Sequence, residues 1–146
     1  MKRCYAFYLV LMVLFLSPAC KKKQDKVKNQ IESNVKSGSW KITKFIDSGN
    51  DETSNFNGYL FVFGDNGQVS ASNGSNSYSG SWSITDSNSN DDSTDDLDFN
   101  LNFNTSNGFE DLNDDWDFIS QSATKIELID VSGGGGGTDY LTFEKN

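Results

Sequence analysis

From Gly38 onward the chain divides into eight short runs that read as β-strands: residues 38–46, 58–63, 68–72, 78–85, 97–103, 116–120, 125–131 and 138–144. The clearest is Leu97-Asp98-Phe99-Asn100-Leu101-Asn102-Phe103, where apolar and polar residues alternate strictly, as on a strand with one buried face. Asp65-Asn66-Gly67 and Asn73-Gly74 are hairpin turns by their chemistry. The one proline, Pro18, lies ahead of all eight runs. Short strands joined mostly by hairpin-length loops predict an all-β, eight-stranded antiparallel up-and-down meander that closes into a small barrel. Closure removes the two exposed edges that an open sheet would leave. A sandwich competes, but no long crossover marks a Greek key. One helical turn is expected within residues 108–113.

The residues before the barrel divide at Cys20. Lys2 and Arg3 precede an apolar stretch from Tyr5 to Leu16, followed by the small residues Ser17-Pro18-Ala19. That stretch falls short of the ~20 residues a membrane-spanning helix needs. A charged start, a short apolar core and a small-residue exit describe a secretory signal peptide over residues 1–19. Leu16-Ser17-Pro18-Ala19-Cys20 resembles the lipobox of bacterial lipoproteins. The resemblance implies cleavage before Cys20 and acylation of its thiol and new amino group, palmitate among the acyl chains. Two or more chains anchor stably where one is marginal. With Cys4 removed by cleavage, no intramolecular disulfide is available, although the compartment permits one. Residues 20–37 then form a lysine-rich tether of partial helicity, with Val27, Ile31 and Val35 spaced by four.

Charge is distributed unevenly. Residues 38–146 carry four lysines against nineteen acids, whereas Lys21, Lys22, Lys23, Lys26, Lys28 and Lys36 crowd the tether. Lysines next to an anionic membrane surface are worth ~1 kcal/mol each. A strongly acidic domain repels nucleic acid, so that class of partner is excluded. The chain contains no histidine, which removes histidine-based triads and the usual general base near neutral pH. Zinc, copper or iron sites built on His or Cys are excluded from the domain as well. A glycosidase pair of carboxylates has no rigid cleft to support it. No enzymatic activity is expected.

Gly38-Ser39-Trp40 opens the first strand, and Gly-x-Trp in that position resembles the signature of lipocalins and lipocalin-like domains. Gly80-Ser81-Trp82-Ser83-Ile84-Thr85 nearly repeats Gly38-Ser39-Trp40-Lys41-Ile42-Thr43, and Phe61 and Phe103 each fall twenty-one residues after their tryptophan. With Trp116-Asp117-Phe118 and the ending Thr138 to Glu144, residues 38–146 are similar to the small lipocalin-like lipoproteins of Gram-negative envelopes. The resemblance implies an outer-membrane location, on the periplasmic or surface face, for a monomer. It supplies a fold and a location rather than a mechanism, and the expected role is interaction or the binding of a small apolar ligand.

Two sets of residues are candidates for a site. Trp40, Phe61, Phe63, Trp82, Phe103 and Trp116 line the expected interior, with Ile42, Leu101, Phe118, Leu141 and Phe143, either as core or as ligand box. Burying each large side chain stabilises by ~1.5–3 kcal/mol, reason enough for their presence. The second set lies in the acidic loop 86–96, where Asp86, Asn88, Asn90 and Asp92 place oxygens at alternate positions, as a calcium loop begins. Asp91 occupies the place of the required glycine and Leu97 that of the bidentate glutamate, so the alternative reading is a weak calcium-binding module. Glu110-Asp111 with Asp114-Asp115 forms a second acidic cluster. No other cofactor is expected.

Overall fold

The computed structural model describes residues 21–86, 96–132 and 137–146, without the side chains of residues 21–24. A helix, α1 (Lys21–Lys36), leads into β1 (Trp40–Asp47) and its two-residue partner β2 (Asn50–Asp51). There follow β3 (Leu60–Phe63), β4 (Gln68–Ser72), β5 (Ser77–Asp86), β6 (Leu97–Phe103), β7 (Asp114–Gln121), β8 (Lys125–Ser132) and β9 (Gly137–Lys145). Apart from β2, each strand pairs antiparallel with the next, and β9 pairs back onto β1. The result is the expected closed, eight-stranded, up-and-down barrel. The turn expected within residues 108–113 is a 3-10 turn, Glu110–Leu112.

Closure between β9 and β1 runs through six residue pairs, from Trp40↔Lys145 to Ile46↔Tyr140. Between β1 and β3 it rests on Trp40↔Phe61 alone. The rest of that seam is filled by residues 50–56, where Phe45 N–H donates to Thr53 Oγ1 at 2.8 Å and Glu52 N–H to the Phe45 carbonyl at 2.9 Å. A bulge between Ile42 and Lys44 shifts the alternation of β1. Trp40 and Ile42 point inward before it and Phe45 after it, which period-two reading of the sequence does not capture.

Gly80 serves a close approach. A Cβ there would press into the Asn102 carbonyl oxygen and the backbone of Phe103 on β6. Only glycine lets these two strands draw together at that point.

The lysine-rich segment is a sixteen-residue helix with its apolar stripe in contact with the barrel. Ile31 and Val35 are buried in the core and Val27 packs against it. Such a helix is marginal by itself and gains its stability from that contact. Lys145 donates to the Asn34 carbonyl at 3.0 Å and stands 4.0 Å over the Trp40 ring, tying the helix to both β1 and β9.

Candidate functional site

All three tryptophans use their indole N–H in the same way, as a fastener between the barrel and a segment that closes it. Trp40 donates to the Val35 carbonyl of α1 at 2.8 Å, and Trp82 to the Gly64 carbonyl in the β3–β4 turn at 3.1 Å. Trp116 donates to the Leu112 carbonyl in the β6–β7 connection at 3.0 Å. Each bond satisfies a polar group that burial would otherwise penalise. Lys36 and Asp65, 3.1 Å apart, bridge α1 to the β3–β4 turn, so the first two fasteners serve the same end.

The opposite end is closed by aromatic rings. Phe109, from the β6–β7 connection, is 3% exposed and sits among Phe56, Tyr59, Phe61, Tyr78 and Phe103. Its centroid lies 4.6 Å from Tyr78 and 5.1 Å from both Tyr59 and Phe103. Phe56, from the 3-10 turn Thr53–Phe56, packs edge-on against Phe45 and Phe109 at 5.4 and 5.3 Å. The mouth through which a barrel of this type would admit a guest is occupied by the protein's own side chains.

Trp40, Phe61, Phe63, Trp82, Phe103 and Trp116 are between 0% and 6% exposed. Phe63 contacts Trp82 at 5.5 Å, Phe99 at 5.6 Å and Phe143 at 5.7 Å, and Phe61 contacts Phe143 at 5.3 Å. The structure therefore brings this set together as a filled interior. Sequence reasoning did not place Phe45, Phe109 or Leu112 in that interior, and the first of these was hidden by the bulge. Phe109 and Leu112 lie in a stretch rich in polar and turn residues, which masks their inward orientation.

Of the calcium candidates, Asp86 ends β5, exposed and in register with Leu97. Asn88, Asn90 and Asp92 lie outside the described residues, as do Cys20 and the residues before it. Among the described residues no group of three or more Asp, Glu, Cys or His side chains is arranged to hold a metal ion.

A groove of about 440 Å³ opens on the outer wall instead, over β5, β6 and the start of β7. Ser81, Ser83, Asn100, Asn102, Asn113, Asp114 and Asp115 supply its polar lining. It forms where β7 leaves β6: the ladder ends at Leu101↔Asp114, while β6 continues to Phe103. Asn113 replaces the missing strand partner, accepting from Phe103 N–H and donating to its carbonyl at 3.0 Å. Partial burial pushes the Asp114 carboxyl up to about 6, with Asp130 and Asp115 adding repulsion and the Asp115 N–H opposing the rise. The available sequence signals were the serine and asparagine alternation on β5 and β6, and the absence of any basic residue between Lys44 and Lys125.

The fold defines a small, closed, eight-stranded antiparallel barrel with a packed interior and a helix across one end. No protein-family model matches the chain, and no curated protein matches it. Among solved structures it is similar to a DUF4847 family protein from Bacteroides vulgatus. That likeness has a TM-score of 0.51 and 17% sequence identity, over 80% of this chain and 97% of the other. At that identity the likeness concerns the fold alone.

Proposed function

We propose that this protein is a lipid-anchored lipoprotein of a Gram-negative cell envelope, held in the outer membrane by acyl chains on Cys20. The barrel, which we read as lipocalin-like, acts without catalysis as an interaction module on the periplasmic or surface face. The observation that carries this reading is the junction itself: a signal-type segment ends at Cys20, and α1 begins at the next residue. Because α1 is docked across one end of the barrel, an anchor at its start holds the domain by that end. The aromatic-plugged end is then left to face away from the membrane. A packed interior favours recognition on the outer wall over carriage of an apolar molecule inside. The lack of histidine in the whole chain supports a non-enzymatic role.

The test is metabolic labelling of cells with a fatty-acid analogue, followed by detergent-phase partition. Wild type is expected to take the label and enter the detergent phase, while Cys20→Ala stays unlabelled and aqueous. Equal labelling of the two proteins refutes the anchor.

A further inference from the structure

The seam between β1 and β3 is closed by something other than a strand ladder. The two strands meet in register only at Trp40↔Phe61, whereas β3 pairs with β4 along its whole length, from Leu60↔Ser72 to Phe63↔Val69. Residues 49–58 bridge what remains of the seam, and they turn on positive φ at both ends. Ser48 at 48° and Gly49 at 86° lead out of β1, and Gly58 at 83° leads back towards β3. A Cβ on Gly49 would meet nothing within 4 Å, so no neighbour wedges the first turn in place.

This segment is held unequally on its two sides. Towards β1, β2 pairs through Ile46↔Asp51 and Asp47↔Asn50, and a latch follows at Phe45. There the Phe45 N–H donates to Thr53 Oγ1 at 2.8 Å, while the Phe45 carbonyl accepts from Glu52 N–H at 2.9 Å. Towards β3 the backbone bonds close on the segment itself: Asn55 N–H to the Glu52 carbonyl, Asn57 N–H to Ser54 and Tyr59 N–H to Phe56. Phe56 is the one buried side chain between Gly49 and Gly58, wedged edge-on against Phe45 and Phe109 at 5.4 and 5.3 Å. A latch on one strand and a single ring in the plug hold the whole span.

We propose that residues 49–58 form a hinged strap that opens and closes the barrel end opposite α1 as one unit, while the strand ladders from β3 to β9 and back to β1 stay intact. Opening releases the Phe45 latch, breaks the two β2 pairs and withdraws Phe56 from Phe45 and Phe109. A four-residue 3-10 turn has no stability of its own once its ring is withdrawn, so its internal bonds open with the latch. Local openings draw on segments with few buried contacts, and hinges lie where a few residues absorb the change in φ and ψ. The closed form hides an apolar recess walled by Phe45 and Phe109, and the open form presents it between β1 and β3. The strap goes beyond the anchored-module reading and stands independently of it.

The test is native-state amide hydrogen exchange of the full chain in rising urea, read residue by residue by NMR. The amides of Phe45, Glu52, Asn55 and Tyr59 are expected to share one opening of shallow urea dependence, well below the global unfolding that exposes Leu128 and Phe143. Gly80→Ala weakens β5 against β6, which stay paired in the open form. It should therefore speed exchange at Leu128 and Phe143 and leave the four strap amides unchanged. Thr53→Val removes the hydroxyl of the latch and should speed the strap amides by about tenfold, the worth of one hydrogen bond. Thr53→Ser keeps the hydroxyl and should exchange as wild type does. Four unrelated strap rates, strap exchange that follows Gly80→Ala as the ladders do, or strap rates unmoved by Thr53→Val would overturn the proposal.

Discussion

Phe109→Ala removes the ring that closes the barrel end opposite α1. The magnitude follows from its surroundings. Phe109 is 3% exposed and contacts five other aromatic rings at centroid distances from 4.6 to 6.0 Å. Transfer of a phenyl group from water contributes ~1.5–3 kcal/mol, and favourable ring pairs add ~0.5–1.5 kcal/mol each. Partial collapse of the β6–β7 connection offsets some of the loss. Buried Phe→Ala changes span ~3–5 kcal/mol, and we expect about 4 kcal/mol here. With a urea slope of ~1.5 kcal/mol per molar for a domain of this size, the midpoint should fall by about 2.7 M. The lining left behind is almost wholly apolar, so the new cavity should stay dry and accept a small aromatic such as toluene. At ten times its dissociation constant, that ligand restores ~1.4 kcal/mol. Equilibrium urea unfolding with and without toluene checks both statements. A loss under about 1.5 kcal/mol with no rescue by toluene would refute the plug.

Two further outcomes follow from the groove and the wall. Because burial raises the Asp114 carboxyl to about 6, the folded state favours the protonated form more than the unfolded chain does, whose value is near 3.8. This contribution to stability is full below about pH 3.8 and is lost as pH rises through about 6. Asp114→Asn should therefore stabilise the protein at pH 7 by about 1 kcal/mol, a figure discounted for the group's partial solvent contact. Thermal melts from pH 3.5 to 7.5 should show the advantage vanishing at the acid end, and a constant difference would contradict the reasoning. Gly80→Ala should lower stability by about 2 kcal/mol, because the added methyl meets the Asn102 carbonyl and β5 and β6 must separate. A chemical-denaturation midpoint equal to wild type would show that the close approach is not required.

Strand positions were readable from the residues wherever alternation was regular, as in Leu97 to Phe103. They were less readable where geometry departed from period two. Phe45 is inward because a bulge at Thr43 resets the face, and a bulge leaves no mark in composition. The role of the lysine-rich segment was half visible. Val27, Ile31 and Val35 marked a helical stripe, but only the folded barrel offers the surface that holds the helix in place. The interior six were recognisable as large apolar side chains at strand positions. That the end opposite α1 is plugged depends on Phe56 and Phe109, which come from connections whose polar neighbours resemble solvent-exposed turn. The groove was the least visible part, since it arises where one ladder ends early and an asparagine side chain substitutes for a strand.

The pairing of β1 with β9 has a kinetic consequence. The first strand and the last are neighbours in the wall, and Asn146 N–H reaches the Ser39 carbonyl at 3.0 Å. A contact between residues so distant along the chain is slow to form and cannot form until the final strand is available. Until then, β1 has no ladder partner beyond Trp40↔Phe61 and the short β2, and Trp40 and Lys145 cannot meet. A chain emerging amino-terminus first stays open and threadable for almost its whole length. It becomes a closed object only once β9 has been made and can pair with β1.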